Sequence, residues 1–265
     1  LTSSPGQPQF SLISNPLLMG STIPYAPSWE KRIDQWMGIP TRHTWETIAP
    51  RNVRLFRARY DAEIRFFDDQ LRTLFAELRP RGWLDNTVVI LTADHGEEFF
   101  EHRGFGHGFT LFNEIVRIPL IFWYPRKWKG LRVEHPTSEV DLMPTILDLL
   151  GISPPPYLQG QSLLPMERVD QADRAIYGEN IIWVSGGGLL QHLFVVRSNL
   201  KLVETGERGA RTFALYDLEA DPGESRNLLR DEPGAAVGLM STLEQFKLSN
   251  QKREGLPGCQ KAEFS

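Results

Sequence analysis

Residues 84–108 gather the side chains of this chain best suited to chemistry. An apolar, β-branched run at 87–93 stops abruptly at Asp94-His95-Gly96-Glu97, and His102 and His107 follow within a short glycine-rich stretch. A carboxylate beside an imidazole is a ligand pair for a divalent cation. A continuous apolar run reads as a buried parallel strand. In open α/β sheets, sites form just beyond the carboxyl ends of the strands. Asp94 and His95 therefore stand where a metal site is expected. Three of the six histidines fall between positions 95 and 107, among Asp94, Glu97, Glu98 and Glu101, a clustering that a solvated turn does not require. The plainer alternative is a turn in which Asp94 caps a following helix and Gly96 takes a positive φ.

The elements that must position these residues follow from periodicity. Val53, Phe56, Tyr60, Ile64, Phe67, Leu71, Leu74 and Leu78 recur at spacings of three and four, which predicts one face of a helix over 51–79. Pro80 ends it, because proline cannot continue the preceding turn. Asp85-Asn86 then lead into the strand at 87–93, giving the helix-then-strand unit of an α/β sheet. A second buried strand is expected at 116–124, with Pro119 placing it at an edge or at a bulge. Residues 140–150 read as a helix capped by Asp141 and stopped by Gly151, with Leu142, Ile146, Leu149 and Leu150 on its apolar face. The first 50 residues read as irregular, with a short apolar run at 10–13, one short strand and a short helix at 28–37.

Pro154-Pro155-Pro156 and the loop through Leu164-Pro165 mark an expected boundary. Beyond it, short strand-like runs at 175–177, 193–197, 200–204 and 213–218 are separated by turn residues such as Ser198-Asn199 and Asp221-Pro222-Gly223. A helix is expected at 238–248. The division is thus 1–170 and 171–265, the second part a small antiparallel sheet with a helix. Gly186-Gly187-Gly188 lacks the strand-loop-helix frame of a phosphate-cradling loop and reads as a turn.

The 265 residues are 41% hydrophobic and 23% charged, an ordinary globular composition for one large domain with a satellite. A net charge of −4 gives no support to nucleic-acid binding. The lone Cys259 excludes an internal disulfide. No apolar stretch approaches the ~18 residues that span a bilayer. Composition does not indicate a compartment or an oligomeric state.

The ordered set of short motifs is more specific. Tyr60-Asp61-Ala62-Glu63-Ile64, Asp85-Asn86-Thr87, Thr92-Ala93-Asp94-His95-Gly96-Glu97, Glu101-His102 and Gly106-His107-Gly108 resemble the sulfatases of the alkaline phosphatase superfamily. So do Arg117-Ile118-Pro119-Leu120-Ile121, Asp141-Leu142-Met143-Pro144-Thr145, Gly160-Gln161-Ser162-Leu163 and Leu215-Tyr216-Asp217-Leu218 with Asp221-Pro222. The resemblance implies an α/β fold, a mixed and mostly parallel sheet between helices, incomplete at its N-terminus and followed by a small antiparallel sheet and helix. Residues 1–170 would then be the C-terminal part of a catalytic domain. It implies hydrolysis of sulfate esters on a sulfated small molecule or glycan, or of phosphodiesters or phosphonate esters in sister branches. Asp94 and His95 match two ligands of a divalent metal, calcium in most sulfatases, with manganese or magnesium as alternatives. His107 stands where many sulfatases carry a lysine that holds the sulfate, and there it can bind the anion or act as leaving-group acid. His102 matches a second histidine often found before that lysine. The alternative for His107 is a turn residue packed on Phe105 and Phe109.

Departures from the pattern carry their own expectations. The Cys- or Ser-x-Pro-x-Arg segment that matures to a formylglycine nucleophile is expected upstream and is absent from the residues before Asp94. Thr22 replaces a substrate-contacting histidine, and Arg103 stands where a glycine is usual. The chain is therefore expected to be the C-terminal part of a sulfatase-like hydrolase, inactive and poorly soluble or oligomeric by itself. A non-catalytic binding module is the alternative.

Overall fold

The computed structural model describes residues 11–17, 50–166, 173–184, 188–207 and 209–254. Thr22 and its loop, the helix expected at 28–37, Gly186-Gly187 and Cys259 lie outside them.

Strand β1 (Ser11–Leu17) is followed among the described residues by α1 (Pro50–Leu78), the helix that the three-four spacing predicts. Its stop is built as expected: Pro80 lies in a single 3-10 turn, and Gly82 follows in the left-handed region at φ 69°. The apolar run forms β2 (Val89–Thr92), shorter than 87–93. Two two-residue strands, β3 (Glu98–Phe99) and β4 (Phe105–Gly106), then make a small hairpin. A single helical turn, α2 (Asn113–Val116), leads into β5 (Arg117–Trp123), and the short β6 (Arg132–Val133) and β7 (Thr137–Ser138) complete the first sheet.

The sheet is mixed. β5 pairs antiparallel with both β2 and β1, while β6 and β7 pair parallel with β1, so four strands point one way and β5 opposes them. β2 therefore has an antiparallel neighbour where its apolar run suggested a parallel one, and it is half-buried rather than fully enclosed. β5 is the buried strand. It lies between β2 and β1, which overturns the edge placement suggested by Pro119. The proline is tolerated because the register with β1 shifts between Ser14 and Leu17, and its carbonyl still accepts the Thr92 hydroxyl at 2.9 Å. Leu120 and Phe122 are fully buried and pack with Trp128, Val133, Leu163 and Met166.

Helix α3 (Leu142–Leu149) corrects two expectations. Asp141 stands at the N-cap position but its side chain makes no cap bond to the helix; a 3-10 turn, Glu139–Asp141, precedes the helix and ends on that residue. The carboxylate is fully buried and accepts the N–H groups of Ser138 (2.9 Å) and Gln161 (3.0 Å). Leu150 is exposed, because the helix closes at Leu149 and Gly151 turns the chain away at φ 69°.

The C-terminal sheet is an antiparallel meander of β8 (Ile176–Val184), β9 (Gly188–Arg197), β10 (Leu200–Glu207) and β11 (Ala210–Asp217), in spatial order β11-β10-β9-β8. The four-residue run Leu193-Phe194-Val195-Val196 is wholly buried because the sheet is covered on both faces. Leu193 and Val195 pack on Leu239 and Leu243 of α4 (Pro233–Glu254). Phe194 and Val196 pack on Leu111, Ile115 and Val116 from the other part of the chain.

Arg174 joins the two parts by pairing both guanidinium nitrogens with the buried Asp141 carboxylate. Arg174→Met strands that carboxylate. It is expected to lower unfolding free energy by about 3 kcal/mol, measured by urea denaturation.

Candidate functional site

The carboxyl end of β2 delivers Asp94 and His95, and the backbone there is fixed tightly. The Gly96 N–H donates to the Ile115 carbonyl at 2.7 Å. A side chain at Gly96 would collide with the Glu114 carbonyl oxygen, so only glycine lets the two segments approach. Asp94 accepts the His95 N–H, but its side chain is 87% exposed, free to reach an ion in solvent. His95 Nδ1 lies 2.7 Å from the Gly96 carbonyl, which requires a proton on Nδ1 and leaves Nε2 as the free lone pair. Nε2 is 3.7 Å from Asp94 Oδ2, a spacing at which one cation can touch both. Burial pushes the carboxyl of Glu139 up, and the nearby charge of Asp94 adds to it, which places the two carboxyls close together at this corner.

The structure brings His107 to this corner and leaves His102 in another environment. The His107 and His95 rings stack with centroids 3.9 Å apart, and His107 Nδ1 lies 3.1 Å from Glu97 Oε2. The hydrogen bond to Glu97 raises the His107 pKa above its usual value, against the opposing effect of burial. His95, Glu97 and His107 present ligand atoms all within 4.8 Å of one another. Glu97 belongs to this group although its sequence position marked it only as one acid among several. Its alternation with His95 along an extended segment is the signal that was available. A cavity of about 790 Å³ opens between α1 and the sheet, with Tyr60 and Ile64 on one wall and Thr92, His95, Glu97 and Arg117 on the other.

The loop that carries His107 is folded around a buried carboxylate. Glu98 is 2% exposed and accepts the N–H groups of His102 (3.1 Å) and Gly104 (2.6 Å). A side chain at Gly104 would run into that carboxylate. Phe99 and Phe105 pair across the hairpin and rest on Tyr60 and Phe56 of α1. The tight turn between them places Phe100 at φ 70° and Arg103 at φ 68°, the left-handed region that favours glycine. The glycine usual at position 103 is thus replaced by a residue that strains the turn.

His102 is held on every side. Nδ1 lies 2.6 Å from Glu114 Oε1, Nε2 lies 3.2 Å from the Glu224 carbonyl, and the ring stacks on Phe112 at 3.5 Å. Burial opposes its charge, but Glu114 and the Glu224 carbonyl outweigh it and hold the pKa above the usual histidine value. Glu224 is itself fully buried and pairs with the fully buried Lys201 at 2.7 Å. Lys201 donates to the Leu111 carbonyl at 2.6 Å, and Glu224 accepts the Asn113 N–H at 2.5 Å. Burial pushes the Lys201 ammonium below its usual range, with Glu224 pulling the other way.

Comparison with known proteins gives the family. The sulfatase family model matches residues 6–152, more than half of the chain, and the model for the N-sulphoglucosamine sulphohydrolase C-terminal region matches residues 100–252. The chain belongs to the sulfatase family. Among curated sulfatase relatives, arylsulfatase K of Bos taurus is 30% identical over 78% of this chain and 39% of its own length. An uncharacterised sulfatase of Escherichia coli is 32% identical over 76% of this chain and 41% of its own length. The chain thus spans about two fifths of the length of these relatives. Among solved structures, a 2-O glycosaminoglycan sulfatase superposes with a TM-score of 0.66 at 24% identity, over 77% of this chain and 45% of the other. A phosphonate monoester hydrolase of Silicibacter pomeroyi superposes with a TM-score of 0.56 at 27% identity, over 72% of this chain and 40% of the other. These likenesses bear out the sulfatase resemblance and the α/β fold with its small antiparallel sheet.

Two expected outcomes follow from the loop. Arg103→Gly relieves the left-handed strain and should raise the unfolding free energy by up to about 1 kcal/mol in urea denaturation. The raised His102 pKa means that its ion pair stabilises the fold fully below the ordinary histidine pKa and is lost as pH rises through the folded value. The stability difference between the unchanged protein and His102→Gln should therefore shrink from pH 6 towards pH 9 in parallel unfolding titrations.

Proposed function

We propose that Asp94, His95 and His107 serve a metal-dependent hydrolase of sulfate esters whose substrate is a sulfated small molecule or glycan. The observation that carries this reading is the convergence of His95, Glu97 and His107 beyond β2, beside a cavity, in a chain of the sulfatase family. Residues 1–170 are assigned to the catalytic part and 171–265 to the subdomain that buttresses it.

Asp94 and His95 are the residues that would hold the divalent metal, for which the family resemblance implies calcium. Their donor atoms are 3.7 Å apart, and the Asp94 carboxylate is open to solvent from which an ion would arrive. When bound, such a metal polarises the sulfate oxygens and steadies the charge that develops as the ester breaks. His107, whose pKa the hydrogen bond to Glu97 raises, binds a non-bridging oxygen or, when protonated, hands its proton to the leaving oxygen. His102, with both ring nitrogens engaged, acts on the substrate only through the loop it holds. The formylglycine nucleophile that the family resemblance implies is matched by no Cys- or Ser-x-Pro-x-Arg motif in these residues.

The likeness to a phosphonate monoester hydrolase favours one second reading, hydrolysis of phosphonate esters or phosphodiesters at the same site. In a protein that carries the nucleophile segment, Asp94→Asn should slow turnover of an aryl sulfate by roughly 100-fold or more. Unchanged turnover removes the assignment. Faster turnover of a phosphonate ester than of a sulfate ester with the same leaving group selects the second reading.

A further inference from the structure

We infer that His95, Glu97 and His107 bind a first-row transition ion, zinc(II) foremost, which the calcium expected from family resemblance does not provide for. The inference rests on the reading of this loop as a metal site for the role of His95; it changes the ion, adds Glu97 as a ligand, and makes His107 a neutral ligand in place of the anion-binding or acid role.

The donor set is the first reason. Calcium takes six to eight oxygen ligands. Two imidazoles and one carboxylate, with a position left open, make a set that zinc and its neighbours prefer. Among the described residues this is the one group of three histidine or acidic side chains whose ligand atoms lie within 4.8 Å of one another.

Geometry is the second reason. His107 Nδ1 and Glu97 Oε2 are 3.1 Å apart, the separation of two neighbouring ligand atoms that each lie about 2.1 Å from one ion. A proton now joins them along the line an ion would widen only slightly. The His95 ring stacks on that of His107 with centroids 3.9 Å apart, so a turn of one ring about its side-chain bonds is what brings both lone pairs to one ion. The His95 Nδ1–H donates to the Gly96 carbonyl, which fixes the tautomer and turns the Nε2 lone pair outward. Backbone carbonyls commonly hold zinc-binding histidines in this way.

Support from the backbone is the third. Glu97 and His107 flank the paired strands β3 and β4, Glu97 just before Glu98–Phe99 and His107 just after Phe105–Gly106. The buried Glu98 carboxylate and the Phe99–Phe105 contact fix that hairpin, so the two ligands approach each other without ordering a free loop. The site is also reachable. The His107 side chain is 52% exposed, and His95 and Glu97 line the cavity, leaving room for water or a substrate oxygen at the open position.

The test uses the purified chain and the metal alone. Cobalt(II) titration is followed by its visible ligand-field bands, with displacement by zinc(II) and direct zinc calorimetry, for the unchanged protein and for Glu97→Gln, His107→Gln, His107→Asn and Asp94→Asn. Thermal unfolding confirms that each variant is folded. The inference expects one cobalt ion per chain, displaced by zinc, and at least a tenfold loss of affinity in Glu97→Gln and in both His107 variants. Absence of cobalt and zinc binding overturns it. So does binding that Glu97→Gln and the His107 variants leave unchanged. Loss confined to Asp94→Asn would also overturn it while leaving the Asp94–His95 reading standing. Loss in the Glu97 and His107 variants with Asp94→Asn unaffected upholds it and separates it from that reading.

Discussion

The buried ion pair between Lys201 and Glu224 is the constraint around which the site is arranged. Two opposite charges out of water are tolerable only when each is matched, because either one alone costs several kcal/mol. Here the matching partners come from both parts of the chain. Lys201 belongs to β10 and reaches the Leu111 carbonyl, whereas Glu224 follows the turn at Asp221 and holds the Asn113 N–H. The Glu224 carbonyl then takes His102, whose other nitrogen faces Glu114, beside the Gly96 backbone contact. The C-terminal sheet is thus not an appendage to the histidine-bearing loop. The segment after its last strand supplies the carbonyl that holds the second nitrogen of the loop's base.

What could be seen in the sequence was what repeats or alternates. The three-four spacing predicted α1 to within a residue at each end, and the apolar runs of the meander placed its four strands. The abrupt stop after Ala93 located the corner at which His95 and His107 meet. Buried charge could not be seen in this way. Nothing local distinguishes Lys201, Glu98 or Asp141 from solvated neighbours, because each is buried by partners distant in the chain or by a turn whose backbone it completes. Pro119 left an edge and a bulge equally open for a similar reason: the irregularity that accommodates it lies in the partner strand, over a hundred residues away. Glu97 was hidden among four acids, and only the fold of the hairpin separates it from Glu98, its buried neighbour.

Helix α1 shows how the cavity and the packing are related. Its apolar face is the one the spacing predicts, yet Ile64 and Phe67 each remain 54% exposed among the described residues. The helix touches the hairpin through Phe56 and Tyr60 and meets the sheet through Phe75 and Trp123. Between these two attachments it stands off from β2, and that gap is the cavity beside His95. An apolar wall on one side and charged groups on the other is an arrangement suited to a ligand with an organic body and an anionic end.

The pairing of β1 with β5 has a kinetic consequence. The meander closes through turns of a few residues, whereas Ser11 and Phe122 must find each other across a loop of about a hundred residues. Closing such a loop costs chain entropy before any contact returns it. The C-terminal sheet, and the β2–β5 pair under Asp94 and His95 with its shorter closure, can therefore assemble before β1 joins the central sheet and brings β6 and β7 with it. The strand met first along the chain is thus the last to find its neighbours, and the chemical corner does not wait for it.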